Sequence, residues 1–245
     1  MALEIALTVV GVLIAIVGAV SGTISLWLIY KYYKYNRREN SLGLTGIEIA
    51  RKILDDNGLQ HLKVKKSGSM IFGNSYSHYF KKVRLREFIR HQTSVTSIGM
   101  GAQKAALAIL DKEGDPDMKK RIRLVPLITF GPFAFIPLLT VGLFLDYFVY
   151  NTNGLLTIVF GILGLLFYIY SIVLSFLTLK TEKKAQERAY EILEKDYHIT
   201  ADELTALKEL FRLYNIQYIN DIILAALELI YTVLEIAIAV YAKKD

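Results

Sequence analysis

Long apolar runs alternate with long hydrophilic stretches along this chain. One run covers about residues 5–30 and contains no charged residue. Two more, at about 124–150 and 154–179, are separated only by the polar residues 151–153. Each run exceeds the roughly 20 apolar residues that a helix needs to cross a bilayer. The pattern therefore predicts three membrane-spanning helices, of which the second and third form a hairpin with a very short loop.

A fourth apolar stretch, at about 221–242, is interrupted by Glu228 and Glu235. Acidic side chains inside a bilayer are costly and usually mark an ion pair or an ion pathway. A contact with a partner chain and an ion path are therefore both open. We favour a third interpretation, in which the helix lies partly at the interface or in the hydrophilic part, with its acids in water.

Individual residues refine the predicted spans. Three prolines, Pro126, Pro132 and Pro137, predict a kinked or partly unwound second span. The first run is long and lacks a basic residue before it, so we expect a retained anchor and not a cleaved signal peptide.

In the hydrophilic stretches, capping boxes at Thr45/Glu48 and Thr200/Glu203 predict helix starts. Helices are expected at about 45–57, 93–112 and 181–196, and strands near 61–64 and 83–86.

Basic residues predict the orientation. The stretch 31–123 contains 20 Lys and Arg against 9 Asp and Glu, and 180–220 contains 7 Lys and Arg. Because basic loops stay on the cytoplasmic side, both stretches are expected there. The predicted organisation is a transmembrane helix at 1–30, a cytoplasmic region at 31–123, a transmembrane hairpin at 124–179, a cytoplasmic helical region at 180–220 and a transmembrane or interfacial helix at 221–245.

Composition narrows the possible functions. The chain has 245 residues, a net charge of +6, no cysteine and four histidines. The absence of cysteine excludes disulfides, thiolate metal sites and cysteine nucleophiles. The basic, tyrosine-rich run 31–38 follows a span directly, so it indicates an interfacial belt and a topology signal, and nucleic acid is not expected as a partner.

Several short motifs occur in order along most of the chain. They are G-L-T-G-x-E-x-A-R-x-I-L at 43–54, H-Y at 78–79, V-R-L at 83–85, S-I-G-M-G-A at 97–102, R-L-V-P at 123–126 and T-E-x-x-A-x-x-R-A at 181–189. Together they resemble motifs of the putative neutral zinc metallopeptidases anchored in the bacterial membrane, which carry H-E-x-x-H. The resemblance implies a bacterial-type plasma membrane and a small zincin-like α+β portion.

The zinc motif itself is missing. Where the family has H-E-x-x-H, this chain has Gln103 and Leu107 at the two ligand positions and Lys104 at the position of the general base. Two histidines one turn apart would bind zinc, with the glutamate as general base. The amide of Gln103 is a poor zinc ligand and the aliphatic Leu107 is none, and the cation of Lys104 cannot act as a general base. By the resemblance, Glu182 and His78 remain from the site, and we expect Lys104 to pair with Glu182 in place of the metal charge.

Small residues at Gly11, Ala15, Gly18 and Gly22 lie on one face of the first apolar helix. Such a face permits close helix contact, either with a partner chain or with other segments of this chain. Together with Glu228 and Glu235, it is the candidate partner surface.

The sequence thus predicts a mainly α membrane protein with about four transmembrane helices and a small cytoplasmic α+β portion. The predicted function is a catalytically inactive peptidase homologue, a structural or adaptor subunit that binds other subunits or its own copies in the lipid bilayer, with no cofactor or metal. Two alternatives stay open. One is an active peptidase with a rebuilt site around His78 and His91, and the other is an ion-conducting or transport component.

Overall fold

The chain is mainly α-helical with one small sheet, as predicted. The computed structural model describes residues 2–68 and 73–241, with the backbone alone at 126–132 and 239–241. The elements are α1 (Ala2–Asn36), α2 (Gly46–Asp56), β1 (Lys63–Lys66), β2 (Ser75–Ser77), β3 (Lys82–Leu85), α3 (Glu87–Arg90), α4 (Val95–Glu113), α5 (Pro116–Phe144), a π-helical segment (Leu145–Tyr150), α6 (Leu155–Lys195) and α7 (Ala201–Tyr241).

The chain forms two compact units. The apolar unit comprises Met1–Gly22, Arg123–Thr178 and Tyr218–Asp245. The polar unit comprises Thr23–Ile122 and Leu179–Gln217. The helices α1, α5, α6 and α7 contribute residues to both.

Three helical segments in the described part of the chain are long and apolar enough to cross a membrane. They are α1, the segment Phe133–Tyr150 and α6. These segments confirm a membrane-type helical protein and agree with three of the predicted spans. The fourth predicted span forms the second half of α7, but its end lies outside the described side chains, so its crossing of a membrane stays a prediction.

In the apolar unit, α5 and α6 form the predicted hairpin. The loop between them turns with left-handed backbone at Asn151 and Asn153. Asp146, in the π-helical segment, accepts hydrogen bonds from the Thr157 N–H and hydroxyl, both at 2.6 Å, and caps the start of α6. The backbone of α5 stays α-helical through Pro126, Pro132 and Pro137, so the irregularity occurs after them, in the π-helical turns.

In the polar unit, α4 lies at the centre of the core. Every residue from Val95 to Leu110 is buried. Both predicted capping boxes are confirmed, since the N–H groups of Glu48 and Glu203 donate to the hydroxyls of Thr45 and Thr200. The predicted helix at 181–196 is the continuation of α6, because no helix-breaking residue separates it from the third apolar run.

A three-stranded sheet covers part of this core. Its strand order is β1-β3-β2, with β1 parallel and β2 antiparallel to β3. Val83 and Leu85 of β3 are fully buried on the inner face. The strand β2 was not predicted, because three residues are too short to show a period-two pattern.

Two glycines allow main chains of the polar unit to approach at very close range, Gly101 where α4 meets the start of α2 and Gly46 where α2 meets α3. A Cβ on Gly101 would lie 2.5 Å from the Gly46 carbonyl oxygen. A Cβ on Gly46 would lie 2.1 Å from the Ile89 carbonyl oxygen. Real Cβ atoms do not approach backbone so closely, so any side chain at either position must push two main chains apart.

We therefore predict that Gly101→Ala destabilises the polar unit by about 1–3 kcal/mol, because overpacking forces backbone shifts. Thermal unfolding of the detergent-solubilised chain, followed by circular dichroism, measures the effect. Gly68→Ala is the control, since no atom of the described residues lies within 4 Å of a Cβ there. Equal stability of the two variants would contradict the close approach.

Candidate functional site

The carboxylate of Glu182 is the acceptor of a cluster formed by α4, α5 and α6. Lys104 Nζ and Gln103 Nε2 each donate to Glu182 Oε2 at 2.8 Å. Arg121 Nη2 donates to the other oxygen, Oε1, at 2.7 Å. The side chains of Lys104, Arg121 and Glu182 are 10%, 18% and 20% exposed. Two cations and one amide therefore saturate a single, largely buried carboxylate.

Local sequence explains how the three helices meet. Gly114 ends α4 in a left-handed conformation, with φ +76°. Asp115 then caps α5, because the N–H groups of Asp117 and Met118 donate to its Oδ1 at 2.9 Å. The chain thus reverses within a few residues. Arg121 lies one and a half turns into α5. Its side chain extends to α6, where it also donates to the Thr181 hydroxyl at 3.2 Å.

The ion pair that the sequence predicts between Lys104 and Glu182 is confirmed. The structure also brings Gln103 to the same carboxylate, whereas Leu107 is 1% exposed in the hydrophobic core. Arg121 is a member that sequence reasoning missed. Arg121 lies in the basic stretch 31–123, which the sequence links only to orientation, and sequence spacing does not show which cation turns inward.

The neighbouring charges determine the protonation state of Glu182. This residue lies after the charge-free apolar run 154–179. Burial alone would raise the pKa of this carboxyl group. The positive charges and hydrogen bonds of Lys104 and Arg121 outweigh burial and lower its pKa from 4.5 to about 2. Glu182 is therefore ionised throughout the physiological range.

These residues do not fit a zinc ion. Zinc needs side chains that offer lone pairs, such as imidazole, thiolate and carboxylate. Lys104 and Arg121 offer only N–H donors, and Leu107 offers no polar atom. The carboxylate of Glu182 is already engaged by three donors. Across the described residues, no group of three or more His, Asp or Glu side chains could hold a metal ion.

His78 belongs to a separate set of contacts. Its Nδ1 lies 2.6 Å from Asp111 Oδ2, which also accepts a hydrogen bond from the Tyr76 hydroxyl at 2.5 Å. Burial and then the hydrogen bond to Asp111 raise the pKa of Tyr76, so the phenol stays protonated. Asp111, two turns after Gln103 on α4, was missed by sequence reasoning. Its partners come from β2 and the turn after it, and β2 was not predicted.

The candidate partner surface is in the apolar unit. A Cβ on Gly11 would lie 3.5 Å from the ring of Tyr231 in α7, so this glycine packs within the chain. Ala15 is exposed, and among the atoms that the structure describes none lies within 4 Å of a Cβ added at Gly18 or Gly22. The small-residue face is therefore partly used inside the chain and partly open.

Glu228 and Glu235, in the second half of α7, are both exposed but differ in their surroundings. Glu228 lines a cavity of about 580 Å³ with five other residues, whereas Glu235 is not among the lining residues. The other lining residues are Gly11, Ile14, Tyr168, Tyr231 and Thr232.

We predict that Glu182→Gln costs about 3–5 kcal/mol of stability, because it leaves Lys104 and Arg121 buried without a counter-charge. Lys104→Met should cost less, since Arg121 still neutralises the carboxylate and methionine fills a similar volume. Thermal or denaturant unfolding of both variants tests the order. A larger loss in Lys104→Met would contradict the central role of the carboxylate.

The same cluster predicts an acid-dependent loss of stability. A depressed carboxyl pKa stabilises the folded state above the unfolded value of 4.5, and this contribution is lost as the pH falls towards about 2. The stability difference between the wild-type chain and Glu182→Gln should therefore shrink between pH 4.5 and pH 2. A difference that stays constant over this range would contradict the ionised, paired state of Glu182.

Comparisons with known proteins agree with the resemblance in the sequence. A relative, "Putative membrane protease YugP" of Bacillus subtilis (strain 168), is 26% identical over 216 residues, covering 84% of this chain and 89% of the relative. No solved structure matches significantly. The sequence profile of the family described as "Putative neutral zinc metallopeptidase" matches residues 9–237. The chain therefore belongs to the putative neutral zinc metallopeptidase family.

Proposed function

We propose that this protein is a catalytically inactive member of its family and serves as a structural or adaptor subunit in a membrane. The observation that carries the proposal is the state of Glu182. A carboxylate that would face a metal in a peptidase accepts hydrogen bonds from Lys104, Gln103 and Arg121. Lys104 occupies the position of the general base, and an ammonium group cannot take a proton from water.

The cluster supports a structural role for the former site. Two fixed cations replace the positive charge that a bound metal would supply, and they require no loading of the protein. Because the cations and the carboxylate stabilise one another in a poorly solvated place, the pairing maintains the α4–α5–α6 arrangement.

The proposal includes an orientation. We place the polar unit on the cytoplasmic side of a bacterial-type plasma membrane that the chain crosses several times. The support is the excess of Lys and Arg in the two hydrophilic stretches and the absence of charge in the turn 151–153. Binding to other subunits or to a second copy is supported by the open positions of Gly18 and Gly22 and by exposed apolar side chains of α1 such as Leu26.

Metal analysis tests the proposal. Purified wild-type chain should contain no stoichiometric zinc and should not cleave a casein substrate. The matched variant Gln103→His/Lys104→Glu/Leu107→His restores the motif and shows whether the assay detects zinc uptake in this fold. Stoichiometric zinc in the wild-type chain, lost in His78→Ala or Glu182→Gln, would overturn the proposal and favour an active peptidase with an unusual site.

The adaptor role needs its own measurement. The native mass of the complex, taken in mild detergent, should exceed that of one chain because of a reproducible partner or a second copy. Replacing Gly18 with Leu should reduce this association, since a large side chain prevents close helix contact. A monomeric wild-type chain would contradict the role.

A second candidate function, transport of an ion or a small cation, has support from the cavity that Glu228 lines. A carboxylate beside the phenol of Tyr168 is a suitable lining for a cation. Flux through proteoliposomes that is lost in Glu228→Gln would favour this function over the adaptor role.

A further inference from the structure

The outer face of the sheet carries four basic residues, which lie opposite one another in two cross-strand pairs. In the parallel pairing of β1 with β3, Lys63 lies opposite Lys82 and Lys65 lies opposite Arg84. These residues alternate with Val64, Val83 and the buried Leu85, so their side chains share the face away from the core. Like charges opposite one another destabilise a sheet. Negative charge placed against this face would relieve the repulsion.

The surrounding protein does not supply this negative charge. Within residues 2–68 and 73–241, no Asp or Glu side chain lies within ion-pair distance of any of the four cations. The nearest pair on the sheet is formed by a different residue, Lys66, with Glu87 at 3.2 Å. Partial desolvation and the charges of Arg84 and Lys65 lower the pKa of Lys82, in agreement with repulsion across the face.

Exposed aromatic rings accompany the cations. The ring of Phe80 lies beneath Lys82 Nζ at 4.7 Å and Arg84 Cζ at 5.6 Å, yet the side chain is 67% exposed. Its neighbour Tyr79 is 64% exposed. Aromatic rings next to basic residues are typical of the interface between a membrane and water.

A hydrogen bond connects this surface with the start of an apolar run. The Tyr79 hydroxyl donates to the Ile122 carbonyl oxygen in α5 at 3.2 Å. Ile122 lies two residues before the apolar run that begins at 124. If that run enters a bilayer, Tyr79 and Phe80 lie at the level of the lipid headgroups.

We propose that the basic–aromatic face formed by Lys63, Lys65, Phe80, Lys82 and Arg84 docks on anionic phospholipid headgroups of the bilayer that holds this chain. The cations contact the headgroup phosphates, and Phe80 enters the interfacial layer. The inference rests on a membrane location for the run 124–150, and it does not rest on the loss of peptidase activity. An active or an inactive enzyme would present the same face.

Lipid binding by the full chain tests whether the basic residues of this face select anionic lipid. Detergent-solubilised wild-type chain, titrated with phosphatidylglycerol or phosphatidylcholine and followed by native mass spectrometry, should prefer phosphatidylglycerol. Lys65→Gln/Arg84→Gln should weaken phosphatidylglycerol binding by about tenfold, since each cation near an anionic surface contributes substantially. Lys52→Gln/Lys195→Gln removes the same charge from exposed lysines elsewhere and should have little effect.

Insertion of Phe80 is tested separately. The chain has one tryptophan, Trp27, so Trp27→Phe/Phe80→Trp carries a single fluorophore in the proposed docking face. In nanodiscs of phosphatidylcholine and phosphatidylglycerol in equal parts, brominated acyl chains should quench its fluorescence. Circular dichroism of each variant checks that the fold is retained.

Three results of these lipid experiments would overturn the proposal. They are equal binding of the two lipids, an equal loss in the two charge variants, and a tryptophan at position 80 that bromine does not quench. Tighter binding of a single-stranded RNA oligonucleotide than of phosphatidylglycerol, abolished by the same substitutions, would also overturn it and identify a nucleic-acid surface.

Discussion

The ionised carboxylate of Glu182 is the interaction on which the rest of the polar unit depends. Three donors from two other helices converge on its two oxygens, in a place where water covers little of any side chain. Each cation would be costly to bury alone, and so would the carboxylate. Their mutual neutralisation makes it possible for α4, a helix buried along most of its length, to carry a lysine and a glutamine in its middle.

In the proposed function, the same cluster lets the fold of the family persist without a metal. A zinc ion in a protein is the largest local charge, and the side chains around it are arranged for that charge. In the proposed function, Lys104 and Arg121 together supply two positive charges next to the acid. A neighbouring cluster strengthens the arrangement at the surface, because Lys184 in α6 pairs with Asp115 at 2.7 Å and Asp117 at 2.6 Å. Both clusters hold the beginning of α5 against α6.

How far the sequence predicts the structure depends on the range of the interactions. The apolar runs, the two capping boxes and the short hairpin loop are local patterns, and they were predicted. The pair Lys104–Glu182 spans 78 positions, and it was predicted only because the family resemblance aligned both residues with one site. Without such a guide, Arg121 and Asp111 were missed, since nothing local distinguishes an inward cation from a topology signal. The strand β2 is stabilised by pairing with β3, which comes later in the chain, and it has no pattern of its own.

The close approach of α4 to the start of α2 has a consequence for what the motifs of the resemblance report. Gly46 lies in the G-L-T-G run and Gly101 in the run S-I-G-M-G-A, so these motifs include contacts that pack the core of this chain. Steric exclusion at these glycines acts on folding, independently of catalysis. Membership inferred from these motifs reports shared architecture, and the chemistry has to be established from the three motif positions on α4 themselves.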